Sequence, residues 1–168
     1  MSLFRLVLLL VAVARVLELI YANRNARHLL RAGAREVGRG HYPLIVGLHG
    51  AWFVAMLAMI PIDAPPHWRW LAFFFVLQLG RIWVLASLGR FWTTRIVTLP
   101  GAPLVRRGPY RFMRHPNYLI VELEIISLPL AFGAPLIAVA FGLANAALLW
   151  WRIRIENAAL AARQPAGQ

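Results

Sequence analysis

The segment RGPYRFMRHPNYLIVELE, from Arg107 to Glu124, sets arginines, two tyrosines, a histidine and two glutamates around two prolines. Such a set can bind an anion, orient an oxygen or hold a proton. Proline gives the set its shape. The residue before a proline avoids the helical region, and proline itself suits the first helical turn, so His115 is extended and Pro116 opens a helix. His115 then stands at the N-cap, beside backbone N–H groups with partial positive charge, a place that suits a ligand carboxylate or phosphate. Tyr110 and Tyr118 offer flat faces with polar tips. Near the end of the chain, RIRIE sets Arg152 and Glu156 four residues apart on one helical face. They read either as a surface ion pair or as ligand groups at the same depth as the His-Pro helix start.

Other ionisable groups sit inside apolar runs, where each needs a partner or a purpose. Arg15 and Glu18, three apart, can pair with each other. Gln78 and Arg81 share a helical face, and Arg81 either snorkels to the interface or contacts a substrate. Glu122 and Glu124 project about 200° apart on a helix, so they cannot both face one neighbour. Arg81, Arg152 and Arg154 are the natural partners, and a polar cavity among the helices follows.

The elements that must position these groups are membrane helices. The chain is 61% hydrophobic and 14% charged, with mean hydropathy +0.65. A soluble domain of this length needs a more polar exterior, and the apolar blocks are long enough to cross ~30 Å of hydrocarbon. The run Leu3–Tyr21 reads as a retained first helix: it contains Arg15 and Glu18, and no small-residue cleavage site precedes Asn23-Arg24-Asn25. The pattern predicts an all-α membrane protein with five helices: about Ser2–Ala22, Pro43–Ile60, Trp68–Leu88, Pro116–Phe132, and Leu136 to Glu156 or beyond. The last two form a C-terminal hairpin, and the fourth is short for a full crossing. A short amphipathic helix is expected in the first link, from the spacing of Arg27, Leu30 and Ala34. The tail ARQPAGQ is expected to fray. The whole, 1–168, reads as one membrane domain, with three N-terminal helices in 1–88 and the working core in 89–168.

The net charge is +12, and all 18 basic residues are arginines. Five lie in the first link (Arg24, Arg27, Arg31, Arg35, Arg39) and six between the third and fourth helices (Arg90, Arg95, Arg106, Arg107, Arg111, Arg114). The positive-inside rule makes both links cytoplasmic, with the N-terminus outside and the C-terminus inside. Charge so placed meets a membrane surface and needs no nucleic acid. The lack of cysteine excludes disulfides, thiolate metal sites and cysteine nucleophiles, and no metal is expected.

Gly108-Pro109-Tyr110-Arg111, Arg114-His115-Pro116-Asn117-Tyr118 and the Arg152–Glu156 segment together resemble the isoprenylcysteine carboxyl methyltransferase superfamily of membrane enzymes, over roughly Leu88 to Leu160. FWTTRIVTLPGAPLVRRGPYR is similar to a bacterial branch linked with type III polyketide synthases, whose products are alkylpyrones and alkylresorcinols. The resemblance implies S-adenosylmethionine at the cytosolic face, between the His-Pro helix start and the end of the fifth helix. On that reading His115, Tyr118, Tyr110, Arg114 and Pro116 hold the cofactor, with Leu104 and Val105 from the backbone of the Leu99–Arg107 link. Glu156 contacts its amino-acid part, and Arg152 orients the acceptor oxygen; these two are the catalytic candidates. Arg81, Glu122, Glu124 and Trp92 fall to the acceptor side. The family often has glycine two residues after the motif tyrosine, where this chain has Ile120. The related sterol reductases follow the motif with Gly-Asp and use NADPH. The resemblance therefore implies O-methylation of a lipophilic carboxylate or acidic enol, such as an alkylpyrone or an isoprenoid acid. An NADPH-dependent lipid reductase and a non-catalytic binder of anionic lipid are the alternatives. The expected surroundings are the lipid bilayer, a lipophilic small molecule and a bacterial inner membrane, the last hinted at by the lysine-free, alanine- and arginine-rich composition.

Overall fold

A computed structural model describes residues 2–102 and 104–161; the tail expected to fray lies outside the described residues. Five helices follow one another: α1 (Leu3–Arg31), α2 (Tyr42–Met59), α3 (Trp68–Leu88), α4 (Pro116–Ala131) and α5 (Pro135–Ala161). The segments Arg39–Met59, Trp68–Phe91 and Pro135–Ala161 are each long and apolar enough to cross a membrane. Polarity runs inside out. Leu17, Ile20, Val54, Leu57, Val76, Leu79, Ile82, Leu136 and Leu143 are exposed, while Arg81, Glu124, Asn145 and Arg152 are buried. That distribution suits hydrocarbon as the solvent, and the protein is integral to the membrane. At about 24 Å for its 16 residues, α4 is shorter than the ~30 Å apolar layer.

The first helix does not end near Ala22, and the separate helix expected after it is absent among the described residues. Instead α1 continues without a break to Arg31. Its 29 residues span about 44 Å, so the turns bearing exposed Arg24, Arg27 and Arg31 extend beyond the hydrocarbon as part of the same rod. The chain then reverses at Gly33 (φ 92°) into a strand, β1 (Arg35–Val37), which pairs antiparallel with β2 (Ile96–Thr98) through Arg35↔Thr98, Glu36↔Val97 and Val37↔Ile96. This two-stranded clip ties the two arginine-rich links together. Glu36 sits between Arg39 and Arg95, 3.5 Å from each.

The apolar core lies at the end of the bundle away from the clip. Phe4, Val7, Leu8 and Val11 of α1 meet Trp52 and Met56 of α2, Phe74 of α3, and Ile125 and Leu128 of α4. Pro129 lacks the N–H that would bond the Ile125 carbonyl one turn earlier. The Trp52 indole N–H donates to that carbonyl instead, at 3.2 Å. Gly142 lets α5 close on α4, since a Cβ there would lie 2.9 Å from Ile126.

Candidate functional site

The Gly-Pro-Tyr-Arg turn is built around the end of α3. Gly108 adopts φ +58°, and a side chain there would strike the Ser87 hydroxyl. Pro109 opens a 3-10 turn over Gly108–Arg111, and Arg107 Nε donates to the Ser87 carbonyl at 2.8 Å, covering an orphan acceptor at the α3 C-terminus. Glycine supplies the close approach and proline the turn. Together they bring Tyr110 to the cavity wall, where burial, and then the Glu156 carboxylate, push its hydroxyl pKa up. Tyr110 therefore stays protonated at neutral pH.

Pro116 starts α4 and His115 precedes it at φ −129°, ψ 56°. The His115 ring stacks on Tyr118, with centroids 5.3 Å apart and planes 15° apart. Its Nδ1 lies 3.6 Å from Glu156, and its Nε2 pairs with Asn157 at 3.0 Å. Tyr118 donates its hydroxyl proton to Glu156 and accepts from Arg152 Nε at 2.7 Å. Arg152 and Glu156 thus meet through a tyrosine rather than as the surface pair their spacing allows, and Arg152 is buried. Its other nitrogens turn away from Glu156: Nη1 meets His41 Nε2 at 3.2 Å, and Nη2 donates to the Thr94 carbonyl at 2.7 Å.

All of these groups but His41 and Pro116 line one cavity of about 670 Å³, within the range of sites that enclose a cofactor or drug-sized ligand. Leu104, Val105, Tyr110, Arg114, His115, Tyr118, Arg152 and Glu156 all face it, as does the buried Trp92. Pro116 is buried at the helix start and is not part of the wall. From this end the cavity runs past Ile45, Val46, Gly50 and Phe53 of α2 to Arg15, Glu18 and Arg81. A Cβ on Gly47 or Gly50 would meet nothing within 4 Å, so α2 is unobstructed there.

Three of the groups placed on the acceptor side are engaged in contacts of their own. Arg81 neither snorkels nor presents a free guanidinium. It is buried, bonded to Glu18 at 2.6 to 2.9 Å and to Glu124 at 2.9 Å. Arg15 bonds Glu18 at 3.0 Å, as its spacing allows, but also Gln78 at 2.9 Å and Glu124 at 3.4 Å. Glu122 and Glu124 do diverge, yet neither lines the large cavity. Glu124 faces this inner network, whereas Glu122 turns to α5 and accepts from Asn145 at 2.8 Å. Arg154 stacks on Trp150 and serves neither carboxylate. Ile120 packs toward α3, where a Cβ on Gly80 would lie 3.3 Å from it. The close approach next to α4 is therefore made by a glycine on the neighbouring helix.

Sequence reasoning missed His41, Thr94, Asn145 and Asn157. Asn145 had a signal, as an amide inside an apolar helix. His41 and Thr94 had none, because only the unforeseen clip carries both links over α5.

The glutamate at the outer end suits the amino-acid part of the cofactor the resemblance implies. Glu156 accepts a hydrogen bond from Tyr118 and lies near His115, and among the described residues no arginine pairs with it, which leaves acceptor capacity for an ammonium. Exposed Arg114 on the same wall offers a cation for a carboxylate.

Comparison with known proteins shows the family. The chain is 39% identical over 162 residues to the uncharacterized protein YpbQ of Bacillus subtilis (strain 168), covering 94% of this chain and 96% of that protein. No solved structure matches it. The family pattern for isoprenylcysteine carboxyl methyltransferases matches residues 70–162, which take in the Gly-Pro-Tyr-Arg turn, the His-Pro helix start and Glu156. The chain belongs to the isoprenylcysteine carboxyl methyltransferase (ICMT) family, a family of membrane methyltransferases.

Proposed function

We propose that the protein is an S-adenosylmethionine-dependent O-methyltransferase of a lipophilic acceptor, working at the membrane–cytosol interface. The observation that carries the reading is the single cavity joining the His115–Tyr118–Glu156 cluster to the unobstructed flank of α2. A polar cofactor would enter at the arginine-rich end and a long apolar chain from the bilayer.

The cofactor, when bound, supplies an electrophilic methyl carbon whose bonding electron pair stays with sulfur on transfer. The protein's share is alignment. An in-line displacement requires the acceptor oxygen about 3 Å from that carbon. Arg152 has five N–H donors and spends three on Tyr118, His41 and Thr94, so two remain to fix an oxygen. A carboxylate or acidic enol arrives ionised or nearly so, and a positioning cation serves it better than a strong base. Glu156 would bind the cofactor ammonium, His115 and Tyr110 would contact its rings, and the Leu104–Val105 backbone would close over it. The acceptor chemistry that fits is a long-chain acid or an alkylpyrone-like enol.

Calorimetric titration with S-adenosylhomocysteine, NADPH and anionic-lipid vesicles separates this reading from a reductase and from a lipid-binding protein. S-adenosylhomocysteine should bind the wild type and fail with Glu156→Ala and His115→Ala. Binding of NADPH instead, or wild-type affinity in both variants, would sink it. The chain has no cysteine, so single cysteines can report orientation. A membrane-impermeant maleimide should label Asp63→Cys from outside intact cells and leave Arg111→Cys untouched.

A further inference from the structure

Arg152 and Glu156 stand four apart on a helix, the spacing at which an isolated helix forms an ion pair. They form none here. Arg152 is held by acceptors from three other elements: Tyr118 of α4, the Thr94 carbonyl before β2, and His41 in the 3-10 turn that precedes α2.

His41 is 2% exposed and lies edge-on to Trp151, with centroids 6.0 Å apart. Its place depends on Gly38, at φ +66°, where a Cβ would come within 2.9 Å of the imidazole and 2.8 Å of Ile155. A guanidinium only donates, so His41 Nε2 must accept, and the proton of the neutral ring sits on Nδ1. That nitrogen makes no well-formed hydrogen bond among the described residues, and the ring lies against the Gly38 backbone, which favours a proton on that side. A ring used only for packing would have no need to aim its other nitrogen at the Arg152 guanidinium, 3.2 Å away. The charged groups the ring feels are Arg152 and Glu156, both on α5.

We propose that His41 is a positioning residue: as a neutral acceptor it holds the Arg152 guanidinium off Glu156, leaving that carboxylate for the cofactor's ammonium. The proposal rests on the methyltransferase reading for the identity of the ligand. The clamp itself does not. Without His41, Arg152 Nη1 loses its acceptor and the nearest replacement is Glu156, one turn along its own helix. Once protonated, His41 cannot accept and repels the guanidinium, with the same result.

The test measures S-adenosylhomocysteine affinity by calorimetry for the wild type, His41→Phe and His41→Gln, from neutral to mildly acid pH. Loss of a hydrogen bond to a charged group corresponds to about tenfold or more in affinity, and that loss is expected for His41→Phe at neutral pH. His41→Gln keeps an acceptor oxygen and should stay within about threefold of the wild type by the same scale. Wild-type affinity should fall on acidification, and the glutamine variant, which keeps His115 and Glu156 but has no ionisable group at position 41, should fall less over the same range. Equal affinity for wild type and His41→Phe overturns the proposal, and so do equally weak binding by both variants or identical pH profiles for wild type and His41→Gln. Spectra of the 15N-histidine-labelled protein need no ligand, and His41→Gln identifies the His41 signal by its absence. An unprotonated Nε2 whose shift moves in Arg152→Met supports the clamp, and a protonated Nε2 at neutral pH overturns it. If the wild type binds no S-adenosylhomocysteine, the methyltransferase reading falls and these spectra still decide the clamp.

Discussion

The cavity has a charged cluster at each end, assembled from the same residue types and finished differently. At the inner end, Arg15 and Arg81 face Glu18 and Glu124, with Gln78 bridging, so charge cancels within the set and every carboxylate has an arginine. At the outer end Glu156 has a tyrosine and a nearby histidine, while Arg152 is drawn off by His41 and Thr94. One set is closed and the other keeps donors and an acceptor in reserve. In a low-dielectric interior an unpaired charge is costly, so the closed set is what three helices need in order to stay together. The open set is tolerable only near water or around a ligand. The contrast predicts that damage at the inner end is read in stability and damage at the outer end in binding.

The largest effect should follow Arg81→Met. It leaves Glu18 with Arg15 alone and takes a charged partner from Glu124, and breaking a buried pair from one side costs about 3–5 kcal/mol. That is a large share of typical protein stability. Thermal unfolding in detergent should shift down sharply, while the fraction that remains folded binds S-adenosylhomocysteine as the wild type does. A normal melting temperature with weakened binding would break the contrast and return Arg81 to the acceptor site.

Tyr118→Phe should do the opposite, with a smaller total effect. The ring, its stacking on His115 and its burial remain, but the hydroxyl that separates Arg152 from Glu156 is gone. Affinity for S-adenosylhomocysteine should fall about tenfold, with a change in melting temperature worth ~1 kcal/mol or less, the scale of one hydrogen bond. A large stability loss with unchanged affinity would make Tyr118 part of the scaffold.

The outer cluster was the more legible in sequence, and the reason is local. Gly108, Pro109, His115 and Pro116 act on their own backbone, so a turn and a helix start could be placed without knowing the fold. Periodicity likewise gave α3 its observed bounds, Trp68–Leu88. The inner cluster is long-range: Arg15, Gln78 and Glu124 meet from positions 63 and 109 residues apart, and no spacing rule reaches that far. The clip was hidden for another reason. Three-residue strands carry too little alternation to stand out from a polar link, and the length of α1 was underestimated because arginines past Ala22 look like the end of a span when they can equally ride a helix out into the headgroup layer.

Glu122 supplies the smallest and finest test, because it belongs to neither cluster. It sits between α4 and α5 with Asn145 as its hydrogen-bond partner and, among the described residues, no arginine, so it lacks both the charge balance of the inner set and the cavity wall of the outer one. Glu122→Gln keeps an oxygen for Asn145 and removes the charge. If Glu122 is a helix-packing group, the change should be neutral or stabilising by up to about 1 kcal/mol, since an uncompensated charge in this setting is a cost, and cofactor affinity should not move. Lowered acceptor turnover with intact stability and cofactor affinity would instead put Glu122 on the acceptor side, and the division into a closed end and an open end would need a third, partly open member.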